Sequence, residues 1–148
     1  MGIINLTVDT RALVRTFESA PAKTRQMVQK QVKMAVRDIR EEARDNHRFI
    51  SRGGATEKSI ESDASGNKGR VYLGSAVAVY QHEGTRAHLI VPRNKNVLRF
   101  AKDKHFVFAK RVQHPGIKQD QYLYRAADKL TPAIVSRFSA ALDNLLGG

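Results

Sequence analysis

Cysteine and tryptophan are both missing from the 148 residues. Without thiols, a disulfide framework, a thiolate zinc site and a cysteine nucleophile are excluded. Aromatic residues are few, at 7%. No RNP-type aromatic motif, zinc finger or helix-turn-helix pattern is present, which argues against specific base readout. Walker A, G-x-S-x-G and Gly-rich dinucleotide loops are absent too. No apolar run approaches the roughly 18–20 residues of a membrane span. The opening "MGIINLTVDT" lacks the basic and apolar regions of a secretory signal, and Leu6 stands where a myristoylation motif needs Ser or Thr. A soluble chain with no membrane partner is expected. Acidic residues are scarce: 14 Asp and Glu against 26 Lys and Arg, a net charge of +12 and a pI near 10.4. Such a balance favours a polyanionic neighbour, whether nucleic acid, an acidic protein surface or anionic lipid, and does not choose among them.

What is present suits one domain over residues 1–148. A chain of this size buries roughly 68–70% of its unfolded surface and needs no disulfide or metal to hold a core. Residues 3–8 read as a strand and 11–20 as a helix ending before Pro21. The strongest helical pattern runs over 22–50, where Val28, Val32, Ala35, Val36, Ile39, Ala43 and Ile50 recur at three- and four-residue steps. "SRGGATEKS" ends it at paired glycines. "KSIESD" and "GRVYLG" flank "ASGNK" as a β-hairpin. "AVAVYQHE", "HLIVP", "NVLRF" and "HFVFAKRV" read as further short strands, with "QHPG" a tight turn. From about 120 the chain is helical again, with Leu123, Ala127, Leu130, Ile134, Phe138, Leu142 and Leu145 on one face. Pro132 either kinks that helix or starts a second one capped by Thr131. The order implies an α+β fold, a long N-terminal helix and a C-terminal helix packed on a mainly antiparallel sheet of about five or six short strands. The charge-rich stretches 61–70 and 93–105 are candidates for ordering on docking.

A helix advances about 100° per residue, so the long segment has three sides. One is the apolar stripe. Lys30, Lys33, Arg37, Arg40, Arg44 and Arg48 make a second, and Asp38, Glu41, Glu42 and Asp45 a third. The basic stripe reads either as a solvated face laced with i,i+4 pairs or as a contact surface for an anionic partner.

"HEGTRAH" raises the question of metal chemistry. A zincin needs histidines at i and i+4 on one helix face. His82 and His88 are six apart, with Gly84 and Thr85 between them, so a turn between two strands is the expected structure. No metal and no cofactor are expected. A small basic nucleic-acid-binding protein or a toxin-type ribonuclease is the alternative; for the ribonuclease, His82, Glu83, Arg86, His88 and His105 are groups that proton transfer and phosphate stabilisation require.

"VYQHEGTRAHLIVPRNKNVLRF" and the following "FVFAKRVQHPGIKQDQYLYRAADK" resemble the tail-component family of tailed phages, whose members are described as neck or tail-completion proteins. The matching positions are Tyr80, Glu83, Gly84 and Thr85, then Pro92, Leu98, Arg99 and Phe100. Val112, His114, Pro115 and Gly116 follow, with Tyr122, Leu123, Ala126 and Ala127 at the start of the last helix. Thr56, Ser59 and Ile60 match a Thr-x-x-Ser-Ile element after the long basic helix. The family commonly has a Pro and a Thr-Gly-x-Leu before that element, where this chain has "RGGATEKSI", and Pro-Phe where it has Gln121-Tyr122. The resemblance covers roughly residues 20–130. It implies a non-enzymatic virion protein at the head–tail junction, in a ring of six- or twelve-fold symmetry, assembled in the host cytoplasm. Its partners would be other copies of itself, the head-closure or connector protein, and the tail-terminator or tail-tube protein. In such a ring the basic stripe of one helix would meet the acidic stripe of the next. Non-specific contact with packaged DNA is the other use of the stripe.

Overall fold

Six apolar side chains at helical spacing organise the molecule. Ala22–Asp45 forms one long helix, α1, whose Val28, Val32, Ala35, Val36, Ile39 and Ala43 are all buried. The computed structural model that defines these contacts describes residues 5–8, 21–102 and 105–146. The helix expected over 11–20 lies outside them. Pro21 opens α1, its carbonyl accepting from the amides of Thr24 and Arg25. The helix stops earlier than its periodicity suggests, because the Asn46 amide closes the last turn on the Glu42 carbonyl at 2.9 Å. Ile50 therefore falls beyond the helix and is 84% exposed, not part of the core stripe.

Against α1 lies an antiparallel three-stranded sheet of β1 (Asn5–Val8), β2 (Ile60–Ser65) and β3 (Lys68–Leu73), in the order β1-β3-β2. Alternation in β3 is clean: Gly69, Val71 and Leu73 face inward while Lys68 and Arg70 are exposed. The Gly66-Asn67 turn joins β2 to β3, so residues 61–70 are a paired hairpin. The C-terminal helix α4 (Tyr122–Leu146) also packs against α1. It runs through Pro132 as one helix, and the Thr131 hydroxyl donates to the Ala127 carbonyl at 2.7 Å. Val36, Ile39 and Ala43 of α1 meet Ile60, Val71 and Leu73 of the sheet and Tyr122, Leu123, Ala126 and Ala127 of α4 in one core. Each fully buried large side chain there contributes about 1.5–3 kcal/mol.

A single turn, α2 (Ala55–Lys58), leads into β2. The next element corrects an expectation. "AVAVYQHE" is not a strand but a helix, α3 (Ala76–Glu83). Ser75 caps it, its hydroxyl accepting from the Ala78 amide at 3.1 Å, and the Gly84 amide closes it on the Tyr80 carbonyl. Ala78 and His82, four residues apart, are the positions it buries.

The remaining strands form two separate antiparallel ladders. β4 (His88–Ile90) pairs with β7 (Val112–His114), and β5 (Leu98–Lys102) pairs with β6 (His105–Ala109). The fold is thus α+β, a long helix and a C-terminal helix with several short antiparallel strands, divided among three ladders in the described residues.

Candidate functional site

The two glycine turns singled out in the sequence meet in space. Thr85 donates its amide to the Ile117 carbonyl at 2.9 Å, and Ile117 returns a 3.1 Å bond to the Thr85 carbonyl. The Thr85 hydroxyl oxygen also lies 3.0 Å from the Ile117 amide. This contact requires glycine on both sides. Gly84 has φ +77, and a Cβ there would lie 2.8 Å from the Ile117 carbonyl oxygen. Gly116 has φ +88, and a Cβ there would strike the Thr85 carbonyl oxygen and come within 2.9 Å of the Arg86 carbonyl carbon. His114 accepts the Gly116 amide on Nδ1 at 3.1 Å and stacks on His88 across the β4–β7 ladder, with ring centroids 5.0 Å apart. Gly84, Thr85, His114, Pro115 and Gly116 are one backbone junction.

The acid–base groups are scattered around that junction. His82 is sealed from solvent, hydrogen-bonded to Glu83 at 2.9 Å and set edge-on against the rings of Tyr122 and Tyr124. Its Nε2 has no partner within the fold. His88 is exposed on β4, its Nδ1 on the Arg86 carbonyl, and His105 is exposed at the start of β6. A buried histidine cannot touch a substrate alongside these two. Among the described residues no three His, Asp or Glu are grouped to hold a metal. Tyr80 is half exposed on α3, and Pro92 lies just beyond β4.

Beside the junction, buried Asp120 ties three segments together. It accepts the Arg48 amide at 2.6 Å and pairs with the Arg125 guanidinium, while its own amide donates to the Gln81 carbonyl. Burial pushes its carboxyl up, but the Arg125 hydrogen bond, the Arg48 amide and both positive charges outweigh it and hold it below its ordinary value. Tyr122 donates its hydroxyl to the Ala78 carbonyl at 2.9 Å, and burial raises its phenol above the ordinary range. An open depression of about 990 Å³ adjoins this cluster, with Arg48, Arg52 and Lys118 on its walls.

The basic stripe divides into two. Arg44 reaches across to β2, its Nε and Nη2 on the Ile60 carbonyl at 3.1 and 2.7 Å. Arg40 holds Glu41 at 2.8 Å and Ser62 at 3.3 Å. These two are stitches between α1 and the sheet, not a free surface. Arg48 is past the end of α1 and so off the stripe altogether. Lys30, Lys33 and Arg37 remain open to solvent, around a shallow depression of about 310 Å³ shared with Ser62, Asp63 and Ala64. The acidic side is occupied within the molecule: Asp38 binds Arg137 and Glu42 binds Lys129, both at 2.7 Å and both from α4. Of the four acids on that side, Asp45 alone is exposed with no such partner.

The most exposed apolar surface is the β5–β6 ladder. Cross-strand register places Leu98 opposite Ala109 and Phe100 opposite Val107 on one face, with Arg99 opposite Phe108 and Ala101 opposite Phe106 on the other. Phe106 and Phe108 are 62% and 63% exposed, and the Arg99 guanidinium lies 4.6 Å from the Phe106 ring centroid. Among the described residues the two strands pack chiefly on each other, and no helix or other strand packs substantially against them. Sequence reasoning picked out Leu98 and Phe100 here but missed Phe106 and Phe108. The signal available was two phenylalanines at strand spacing, Phe106 and Phe108, on one face of a two-stranded ladder.

Neither a family model, a curated protein nor a solved structure matches this chain.

Proposed function

We propose that the chain is a non-enzymatic structural subunit of the head–tail junction of a tailed phage, a neck or tail-completion protein working in a ring. The observation that carries this reading is the β5–β6 hairpin, which exposes Phe106 and Phe108 on one face while Leu98 and Val107 on the other are half-buried. A two-stranded hairpin is marginal in water by itself, and one that displays phenylalanines to solvent is complete only against a neighbour. Closed symmetric assembly is the ordinary way for a small subunit to meet that need. The choice of assembly comes from the motif order: "HEGT", "VLRF" and "VQHPG" resemble the neck family, and the first and last of these motifs meet in one backbone junction. In this reading the ring stands between the head connector and the tail, and the protein is found in the virion neck.

Lys30, Lys33 and Arg37 serve a protein contact in preference to the DNA channel. A protein with 6–10 phosphate contacts loses about 10³–10⁵ in affinity between 50 and 200 mM salt, so those contacts are individually strong. Repeated around a ring, they would grip DNA that has to slide through. Gold-labelled antibody against the chain, applied to intact particles, tests the assignment. Label at the junction of head and tail is expected; label on the capsid shell, at the tail tip or on no particle overturns it.

A further inference from the structure

We infer that the basic depression beside Asp120 receives the far end of α4 from a second copy of this chain, in a head-to-tail contact. Such a contact rests on the reading above of the chain as a self-assembling subunit. Apolar and cationic groups share the depression: Ile50 and Val77 are 84% and 52% exposed, and Arg48, Arg52 and Lys118 stand around them in solvent. Its one acidic wall residue, Asp120, is buried and held by Arg125. The occupant must therefore bring apolar surface and negative charge together. The far end of α4 brings both. Val135 and Leu142, seven residues apart and so on one side of the helix, are 57% and 37% exposed, with exposed Asp143 beside Leu142. Residues 138–146 contain no Lys or Arg, so no basic residue in the last turn offsets the negative end of the helix dipole.

Distance makes the contact intermolecular. The depression adjoins Asp120, just before α4 starts, and the helix then runs 25 residues. At 1.5 Å per residue its far end lies about 37 Å away, out of reach of its own depression. Two turns of a helix about 10 Å across fill about 850 Å³. The depression, of about 990 Å³, accommodates them. Because the two surfaces differ, the contact is heterologous, and repetition with rotation closes it into a ring. Two further acids, Asp45 and Asp128, are exposed without an ion pair in the described residues. Asp45 ends α1 and Asp128 lies early in α4, so both belong to the depression's own end of the molecule. They would suit a two-fold contact of depression against depression, which leaves Val135 and Leu142 uncovered. Nucleic acid would meet the cations and leave Ile50 and Val77 uncovered.

The chain has no cysteine, so introduced thiols report proximity without background. Val77→Cys and Leu142→Cys variants of the full chain, purified, mixed and oxidised with copper–phenanthroline, are expected to link to each other. The double variant is expected to give a ladder of linked oligomers on non-reducing gels. Links only between like variants (a two-fold contact), an internally linked monomer, or no link overturns the inference. Sedimentation velocity supplies a second readout. Asp143→Arg and Arg52→Asp each weaken self-association about 10-fold or more, and the two together restore most of it. Unchanged association in both single variants, a pair that is not restored although its thermal unfolding is unchanged, or association lost on nuclease treatment contradicts the contact. If the ladder forms and gold label is absent from the neck, the contact stands and the head–tail assignment falls. Label at the neck with no ladder removes the contact alone.

Discussion

Arg44 gives its guanidinium to backbone carbonyls at the start of β2, while Lys30, on the same face of the same helix, ends in solvent. Charge alone does not distinguish them; reach does. Arg44 lies on the part of α1 that crosses the sheet, and its removal leaves the Ile60 carbonyl without that donor. Arg44→Ala is expected to cost about 1–3 kcal/mol, and Lys30→Ala less than about 0.5 kcal/mol, in urea unfolding. Gly116→Ala combines a positive φ with a clash against Thr85, so a loss of at least about 2 kcal/mol is expected in the same measurement. Asp120 supplies a pH signature. Its folded pKa lies below its ordinary 3.8, so its contribution is fully present above about pH 4 and is lost as pH falls through the folded value. Asp120→Asn should therefore be less stable than the parent at about pH 7, with the gap narrowing below about pH 4. A gap that widens on acidification contradicts the assigned hydrogen bonds.

Among the elements, α1 and the β2–β3 hairpin were legible because one physical pattern dominates each. Six of the seven apolar positions proposed for the long helix are buried on it, and "ASGNK" has no competing use. The helix α3 was not legible from periodicity, since "AVAV" fits an alternating strand and a short buried helix equally. Ser75 before it and Gly84 after it were the discriminating residues, and both are caps. The hairpin β5–β6 shows a different limit. Its strands could be read from residue types, but its isolation depends on where α1 and α4 are spent, on each other and on the three-stranded sheet. This isolation predicts a separation of stability from assembly. Phe106→Ser with Phe108→Ser should change unfolding free energy by less than about 0.5 kcal/mol, whereas Leu73→Ala, in the core, should cost about 2–5 kcal/mol.

At the scale of the whole molecule, a +12 chain is conspicuous from composition, yet the fold redistributes that charge. Arg40, Arg44, Arg125, Lys129 and Arg137 are used internally, against carbonyls and acids that no linear reading pairs with them. Among the cations left outside are Lys30, Lys33 and Arg37 on α1 and the Arg48–Arg52–Lys118 depression. The candidate motif residues were legible as positions but not as roles: Gly84, Thr85, His114 and Gly116 build a backbone junction, and His82 is a core side chain. The proposal that the chain is a subunit of an assembly rests on the exposed hairpin, not on these residues. Electron microscopy of phage particles made without this chain tests that claim most directly. Full heads and finished tails that fail to join are expected. Intact, infectious particles in normal yield would contradict the account.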